Sequence, residues 1–507
     1  MSLRTDRPLP SPPPFSRVLI ANRGEIAIRV IRACRELGIS PIAVHSDADV
    51  DALHVRAADH SERIGPPPAG ESYLSIDAIL DAARRGGAEA IHPGYGFLSE
   101  NAAFATAVET AGLVFIGPPA SALEALGNKL AARRSAAAAG VPIVPGTTVA
   151  LEEDTSAVGE IGLPVMLKAA AGGGGRGMRR VDRLEDLPEA MAVARREAAA
   201  AFGDGTIYVE RLVSPARHVE VQLLGDRHGS LAVLGERDCS VQRRHQKLVE
   251  ESPSPAVDEA AREALFESAR RVAGTVDFHN AATVEFLVDE DRNHYFLEMN
   301  TRLQVEHGVT ELVTGLDLVA WQIRVAAGER LPPEVIDAPR HGHAIEVRLY
   351  AEDPYDDFRP TSGRVTAWRM PEGPGVRVDA GMEADTDLRT EYDPLLAKLM
   401  VHADDRAAAV ARLRRALDET MIGGLQTDAG FLRWLVDEPS YVAGDYDTGF
   451  IGSVWGDGPT LSAEERGMVA AAAVAARMTS EAALPDRADR PTGSAWGRLA
   501  RREGLRR

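Results

Sequence analysis

Pro164-Val-Met-Leu-Lys-Ala-Ala-Ala-Gly-Gly-Gly-Gly-Arg-Gly-Met178 carries the clearest structural signal in this 507-residue chain. An apolar strand ends at Lys168, and four consecutive glycines, Gly172–Gly175, come just after it. Successive glycines let backbone N–H groups converge on phosphate oxygens without obstruction by side chains, and Arg176 adds a cation. A flexible linker is the alternative, but a linker is not normally bracketed by an apolar strand ending in lysine and by an arginine. No G-x-x-x-x-G-K-[ST] string occurs, so the segment predicts a phosphate-binding loop other than a Walker A loop.

The residues before this loop predict an open parallel α/β sheet. Val18–Ala21 is a short apolar run, and a helix with apolar residues at helical spacing opens at Gly24. Further strands are predicted at Pro41–His45, Ala88–His92 and Leu113–Ile116. Alternation of strands and helices is typical of a parallel sheet, in which ligands bind outside the carboxyl ends of the strands.

Two acidic residues interrupt apolar runs further along the chain. Thr283–Val288 and His294–Met299 predict a β-hairpin that contains Glu285 and Glu298. Buried carboxylates are costly unless they are paired or bind a metal. Residues two apart share a strand face. The face expected to continue through the second strand consists of Glu298, Asn300, Arg302 and Gln304. Carboxylate and amide oxygens suit Mg²⁺, and a salt-bridged sheet face is the alternative.

Lysine is scarce in this chain. It occurs only at Lys129, Lys168, Lys247 and Lys398, and the other Lys and Arg positions are arginine. A general bias toward arginine is the alternative explanation, but in such a background a retained lysine indicates a need for a compact ammonium group. Lys247 ends the string Glu236–Lys247, whose interleaved donors suit ribose hydroxyls or a small oxyanion; a solvated loop is the alternative.

Composition limits the class of protein. The formal net charge of -19 argues against a nucleic-acid-binding surface. The two cysteines, Cys34 and Cys239, have no metal-ligand spacing, which favours a reducing cytoplasm. No apolar run approaches the ~18–20 residues of a membrane span. Met1–Phe15 has no apolar signal region and is expected to be a disordered leader, whereas the basic end, Trp496–Arg507, fits either a docking helix or a frayed tail.

Six strings together carry a resemblance to a known family: Ile20–Ala27, His92–Asn101, Gly172–Met178, Arg237–Lys247, Phe296–His307 and Tyr392–Lys398. From Arg17 to about Ile451 the chain resembles the biotin carboxylase subunit of biotin-dependent acyl-CoA carboxylases, within the ATP-grasp superfamily. The resemblance implies a fold of α/β and α+β type, with an N-terminal open parallel sheet domain, a small glycine-rich lid and a C-terminal mixed β-sheet domain. The implied divisions are a leader (1–15), N-terminal domain (16–128), lid segment (129–216), ATP-grasp core (217–345), C-terminal domain (346–455) and helical, basic tail (456–507).

The resemblance also implies site residues. The ATP-binding residues would be Lys129, Lys168, Gly172, Gly173, Gly174, Gly175, Glu210, Leu212, His218, Gln242 and His245. Glu285, Glu298 and Asn300 would ligate Mg²⁺ or Mn²⁺, and Lys247, Arg302, Gln304 and the Val305 backbone would bind bicarbonate. Glu306 would be the general base, with Lys247 and Arg302 beside it in the catalytic set, and Arg348 would stabilise the ureido oxygen of biotin.

The implied activity is ATP- and bicarbonate-dependent carboxylation of biotin through carboxyphosphate, the first half-reaction of an acyl-CoA carboxylase. No lysine here has the Met-Lys-Met flanks typical of a biotinylated carrier, so biotin is expected on a separate biotin carboxyl carrier protein. A carboxyltransferase partner and a homodimer or larger complex are also implied, and the acyl acceptor stays open.

This sequence departs from the family pattern at Asn128, Ala170, Ala171 and Gly308, none of which is a proposed catalytic group. Two other functions stay open. One is an ATP-grasp ligase that uses an amine or carboxylate acceptor, and the other is a catalytically silent nucleotide-binding subunit. Lys247, Arg348 and the string from Arg302 to Glu306 argue against both.

Overall fold

The computed structural model describes residues 13–147, 156–170, 178–389 and 391–456. The predictions made for the glycine loop Gly172–Gly175, for residues 1–12 of the leader and for the tail from residue 457 lie outside the described residues. Phe15, placed in the leader from sequence, is buried against the N-terminal core.

The N-terminal part is the predicted open parallel sheet. Its elements are β1 (Arg17–Ile20), α1 (Gly24–Glu36), β2 (Ser40–Ser46), α2 (Leu53–Ala57), β3 (His60–Gly65), α3 (Ile76–Gly86), β4 (Ala90–His92), α4 (Ala102–Thr110), β5 (Val114–Phe115), α5 (Ala120–Gly127) and α6 (Lys129–Ala138). The five strands pair in parallel in the order β3-β2-β1-β4-β5, which confirms the prediction. Asn22 follows β1 and donates from Nδ2 to the carbonyls of Pro93 and Tyr95 after β4, at 2.7 Å each. The carboxyl ends of two neighbouring strands are thereby tied together at the edge where ligands bind.

A small antiparallel sheet forms the second part. It contains α7 (Ser156–Ile161), β6 (Val165–Ala169), β7 (Arg179–Val181), α8 (Leu187–Phe202) and β8 (Ile207–Arg211), with the strands in the order β7-β6-β8. Val165 and Leu167 pack into the core of this part. Because side chains alternate along a strand, Met166 and Lys168 face the opposite way, toward a large cavity.

One long sheet organises the rest of the described chain. The elements of the middle part are β9 (Arg217–Gly225), β10 (Leu231–Arg243), β11 (Gln246–Ser252), α9 (Glu259–Ala273), β12 (Asn280–Val288), β13 (His294–Asn300), α10 (His307–Thr314), α11 (Leu318–Ala326) and α12 (Pro333–Ile336). Those that follow are β14 (His343–Tyr350), β15 (Glu352–Asp353), β16 (Arg359–Pro360), β17 (Gly363–Arg364), β18 (Ala367–Arg369), β19 (Val376–Ala380), β20 (Asp387–Leu388), β21 (Leu395–Ala403), α13 (Arg406–Glu419), β22 (Met421–Gly423), α14 (Ala429–Leu435), α15 (Pro439–Ala443) and α16 (Phe450–Val454).

The sheet has eight strands in the order β13-β12-β9-β10-β11-β14-β21-β19, and each neighbouring pair is antiparallel. The expected C-terminal β-sheet is present, with its strands antiparallel, and β14 pairs with β11 and so extends the sheet of the middle part. The expected boundary between residues 345 and 346 falls inside β14 for the same reason. Among the described residues, no helix combines the length and apolar character needed to cross a bilayer.

Candidate active site

A cavity of about 540 Å³ lies between the small sheet, the β12–β13 hairpin and the loop that follows β13. Every predicted site residue that the structure describes lines it: Lys129, Lys168, Glu210, Leu212, His218, Gln242, His245, Lys247, Glu285, Glu298, Asn300, Arg302, Gln304, Val305, Glu306 and Arg348. The structure thus brings together residues from all parts of the described chain, while their individual roles stay predictions.

The hairpin places its two acids side by side. β12 and β13 form the predicted hairpin, and a register shift between Glu285 and Phe286 brings Glu285 directly opposite Glu298. Asn300 Nδ2 donates to Glu285 Oε1 at 3.0 Å and to Glu298 Oε1 at 3.4 Å, so both carboxylates converge on one point. The strand ends at Asn300, which corrects the expectation of one continuous strand face through Arg302 and Gln304. Both residues still reach the site from the loop: Arg302 Nη2 donates to Asn300 Oδ1 at 3.1 Å, and Gln304 Nε2 donates to Glu285 Oε1 at 3.2 Å.

Lys247 lies among three buried carboxylates and contacts each of them. Its Nζ donates to Glu220 Oε2 at 2.7 Å, to Glu285 Oε1 at 3.0 Å and to Glu306 Oε1 at 2.7 Å. Three carboxylates carry more negative charge than one ammonium group can neutralise. Arg237 supplies a second cation, since its Nε lies 2.5 Å from Glu220 Oε1. Burial acts to lower the pKa of Lys247, but the surrounding anions raise it well above its usual value. Lys247 therefore stays charged and holds the acids around it.

Glu306 lies between two buried cations, Lys247 and Arg348. It is the residue preceding α10 and is fully buried. Lys247 contacts one carboxylate oxygen, and Arg348 Nη2 donates to the other at 2.9 Å. Burial acts to raise the pKa of Glu306, but Lys247, Arg348 and Arg237 hold it well below its ordinary value. Glu306 is therefore ionised, and any group that draws these cations away will make it more basic.

Arg348 is held from its other side by Glu250. Nη2 of Arg348 lies 2.5 Å from Glu250 Oε1, and Nε donates to the same oxygen at 2.6 Å. Burial, opposed by Arg348, raises the pKa of Glu250 to about 7. The second oxygen, Oε2, is buried without a hydrogen-bond partner. Arg348 is thus fixed at the edge of the cavity by two carboxylates of different basicity.

The opposite end of the cavity carries the predicted nucleotide residues. Lys168 Nζ lies 2.5 Å from Glu210 Oε2, and Arg133 donates to Glu210 Oε1 at 2.5 Å. Lys129 pairs with Glu298, which joins this end to the hairpin acids. Burial lowers the pKa of His245, with Lys168 adding to the effect, so its ring is neutral near pH 7. Two lysines therefore face the space where anionic phosphates would lie.

The hairpin acids fit a divalent cation better than the other acidic groups nearby. Within the described residues, the ligand atoms of His218, Glu220 and Glu285 lie within 4.8 Å of one another, as do those of Glu220, Cys239 and Glu306. Lys247 contacts two members of each group but only Glu285 of the hairpin pair, whose second acid, Glu298, pairs with Lys129 at the nucleotide end; a fixed ammonium repels a metal ion. Burial raises the pKa of the Cys239 thiol well above its usual value, so this thiol is protonated among the acids that surround it. Glu285, Glu298 and Asn300 remain as the oxygen set that Mg²⁺ or Mn²⁺ prefers.

Sequence reasoning missed several residues that organise the site, chiefly Glu220, Arg237 and Glu250. All three are buried in long strands of the eight-stranded sheet. An acid inside an apolar strand was the signal that identified the hairpin pair, and Glu250 in Lys247-Leu-Val-Glu-Glu-Ser252 shows the same signal. Which cation each acid pairs with depends on strand order, which the sequence does not reveal.

Comparison with known proteins agrees with this geometry. Residues 14–123 match the family described as biotin carboxylase, N-terminal domain, residues 128–334 match the carbamoyl-phosphate synthase L chain, ATP binding domain, and residues 346–453 match the biotin carboxylase C-terminal domain. The chain is 51% identical over 440 residues to a biotin carboxylase of Halalkalibacterium halodurans, covering 86% of this chain and 97% of that one. It is 46% identical over 514 residues to the propionyl-CoA carboxylase alpha chain of Ruegeria pomeroyi, covering 95% of this chain and 76% of that one.

A solved structure shows the same similarity. It is the biotin carboxylase domain dimer of the Hydrogenobacter thermophilus 2-oxoglutarate carboxylase, in complex with MgADP, ADP and bicarbonate. The TM-score is 0.85 at 42% identity, and the match covers 88% of this chain and 99% of that one. Three family models match successive parts of the chain, its relatives are biotin carboxylases, and the predicted residues converge on one cavity. The chain therefore belongs to the biotin carboxylase family of ATP-grasp enzymes.

Proposed function

We propose that this chain carboxylates the ureido nitrogen of carrier-bound biotin, using ATP and bicarbonate. The observation that carries the proposal is the position of Glu306, fully buried and shared between Lys247 and Arg348. This one carboxylate lies between two ends of the cavity. One end suits phosphates and bicarbonate, and the other holds Arg348, which would face the ureido group of biotin. The similar Hydrogenobacter thermophilus domain was solved with MgADP and bicarbonate, which supports these ligands.

In the first step, Lys247, Arg302, Gln304 and the Val305 backbone would hold bicarbonate. Glu306 would take the proton of bicarbonate, whose oxygen then attacks the γ-phosphate of ATP, giving carboxyphosphate and ADP. A carboxylate with a depressed pKa is a weak base in the resting site. Bicarbonate binding would make Glu306 more basic, because an anion that binds Lys247 shares the cation that depresses the pKa of Glu306.

Glu285, Glu298 and Asn300 would hold Mg²⁺ or Mn²⁺. The ion supplies positive charge that offsets the negative charge of the phosphates. Lys129 and Lys168 would bind phosphate oxygens by exchanging their present partners, Glu298 and Glu210, for the nucleotide. Glu210 keeps Arg133 after that exchange, so it is not left as an unpaired buried charge.

In the second step, carboxyphosphate breaks down to CO₂ and phosphate inside the closed cavity. The phosphate takes the proton of the ureido nitrogen, and Arg348 stabilises the negative charge that develops on the ureido oxygen. The nitrogen then attacks CO₂ to form the C–N bond. Closure matters because carboxyphosphate hydrolyses in water.

The carrier is proposed to be a biotin carboxyl carrier unit outside these 507 residues, since none of their lysines has the flanks of a biotinylation site. Lys168, Lys247 and Lys398 are also nearly or fully buried, which hides them from a biotin ligase. The acceptor of the carboxyl group would be an acyl-CoA bound by a carboxyltransferase subunit, and the complex would contain a dimer of this chain. Both cysteines are free and buried, which fits a reducing cytoplasm.

The test is ATP cleavage by the purified chain with and without bicarbonate, and with and without biotinylated carrier. Cleavage that requires bicarbonate, with ¹⁴C transferred to the carrier, is expected. An ATP-grasp ligase for another acceptor is the competing function, because the central match is to an ATP-binding domain shared with carbamoyl-phosphate synthase. If the rate of ATP cleavage does not depend on bicarbonate but rises when an amine or carboxylate is added, the competing function is established instead.

A further inference from the structure

Lys398 is the one lysine of the four for which the proposed mechanism has no use. It is fully buried in β21. In the strand register it lies directly opposite Arg348 on β14 and Asp379 on β19. Directly opposed residues share a face of the sheet, so Lys398 projects from the same face as Arg348. In a chain that uses arginine almost everywhere else, a buried ammonium next to the site needs a reason.

The contacts of Lys398 lead to both sides of the cavity. Its Nζ donates to the carbonyl oxygen of Val305 at 2.7 Å and lies 3.3 Å from Glu25 Oε1. Tyr95 donates its hydroxyl to the same oxygen of Glu25. Val305 and Tyr95 both line the cavity, whereas Lys398 and Glu25 lie behind its wall. A chain of hydrogen bonds therefore runs from Tyr95 through Glu25 and Lys398 to Val305.

These contacts join three parts of the fold at one ammonium group. Glu25 belongs to α1 of the N-terminal sheet, Val305 belongs to the loop after β13, and Lys398 belongs to the end of the long sheet that follows. The Val305 carbonyl is part of the peptide unit that leads into Glu306. Anchoring this carbonyl fixes the backbone of Glu306 and, with it, the direction of the carboxylate.

We infer that Lys398 is a positioning residue. It holds the backbone at Val305–Glu306 and the Tyr95 side of the cavity in the relative positions that the bicarbonate step requires. The inference rests on the proposed function. Lys398 itself touches neither nucleotide nor bicarbonate. Its loss should therefore affect bicarbonate use, while the nucleotide end around Lys168 and Glu210, which shares none of these contacts, is spared.

The test separates this role from a purely structural one. Lys398→Met alone leaves Glu25 as a buried carboxylate without its cation, which destabilises the fold. The double variant Lys398→Met/Glu25→Gln removes that charge, and the glutamine oxygen can still accept from Tyr95. Its melting temperature is expected to recover relative to Lys398→Met, yet the Val305 carbonyl remains without its anchor.

The double variant should keep a KM for bicarbonate about tenfold or more above that of the wild type, because small misplacements of reacting groups are costly. Its KM for MgATP should stay within about twofold. Arg406→Met is the matched control, since it removes the cation of another buried ion pair, with Glu251, away from the cavity. This control should leave both KM values unchanged.

A folded double variant with wild-type bicarbonate KM would overturn the inference, and so would an equal rise in the KM values for bicarbonate and MgATP. The wild-type chain distinguishes this failure from failure of the proposed function. If wild-type ATP cleavage does not depend on bicarbonate, the proposed function itself is wrong. If it does depend on bicarbonate and the double variant matches it, only the role of Lys398 is wrong.

Discussion

Replacing Glu306 by glutamine should abolish turnover while leaving the fold nearly intact. Glutamine keeps the shape of the side chain but cannot accept the proton of bicarbonate. Removal of a positioned general base typically costs about 10²–10⁴-fold in rate, so bicarbonate-dependent ATP cleavage should fall by at least about 100-fold.

The contacts of Glu306 explain why stability should change little. Breaking a buried ion pair costs about 3–5 kcal/mol when it leaves a charge uncompensated. Here Lys247 keeps Glu220 and Glu285, and Arg348 keeps Glu250. Neither cation is stranded, so the loss is closer to that of one or two hydrogen bonds, about 1–3 kcal/mol.

The assay measures initial rates of ADP release at saturating MgATP, with and without bicarbonate, alongside nucleotide affinity and thermal melting. Glu251→Gln is the matched control, because Glu251 is equally buried and pairs with His343 and Arg406 rather than with cavity residues. Bicarbonate-dependent cleavage by Glu306→Gln within about tenfold of wild type would refute the assignment of the base. A collapse of nucleotide affinity together with the rate would also refute it, because Glu306 should not serve the nucleotide.

Lys168→Ala and Lys129→Ala should each weaken ATP use by about 2–4 kcal/mol of transition-state stabilisation, measured as kcat/KM for ATP, and wild-type kinetics in both would contradict their phosphate role. Glu298→Gln should raise the Mg²⁺ concentration needed for half-maximal rate, because it removes a charged ligand; an unchanged metal titration would argue against the hairpin site. Arg348→Ala should spare nucleotide and bicarbonate binding but lower biotin carboxylation, seen mainly in kcat, and normal carboxylation would exclude the ureido role. Mass spectrometry and a streptavidin blot of the chain, made in cells with an active biotin ligase, should detect no covalent biotin; biotin on any of the four lysines would disprove the separate carrier.

Features encoded by local sequence were predictable. Strand β1 and helix α1 follow from a short apolar run and helical spacing, and the β12–β13 hairpin follows from two apolar runs around a polar turn. The direct opposition of Glu285 and Glu298 was not predictable from that hairpin, because the register near the turn pairs Phe286 with Phe296 and only a register shift between Phe286 and Glu285 brings Glu298 opposite Glu285. The family resemblance supplied most of the remaining site residues, including Glu306 and Arg348, which no local pattern identifies.

Contacts set by strand order could not be predicted. Glu250 meets Arg348 only because β11 lies beside β14, and the two residues are 98 positions apart in the chain. Lys398 meets Val305 across 93 positions, through a loop whose course depends on where β13 ends. Hydrophobic patterning indicates which face of a strand is buried, but it does not indicate which strand is the neighbour. For the same reason, the sequence does not reveal that β14 extends the antiparallel sheet of the middle part.

The contacts of Arg348 with both Glu306 and Glu250 would link the two proposed steps. Arg348 Nη2 donates to Glu306 and also lies 2.5 Å from Glu250 Oε1, to which Nε donates, while Nη1 donates to the Tyr350 hydroxyl. When Glu306 accepts the proton of bicarbonate, it loses its negative charge, and its hydrogen bond to Arg348 weakens from a charge-assisted to an ordinary one. Glu250 would still fix the position of the guanidinium, so the N–H with the weakened bond would stay in place and could exchange Glu306 for the ureido oxygen. Proton transfer in the first step would thereby prepare the cation required in the second, because the Glu306 carboxylate lies between Lys247 and Arg348.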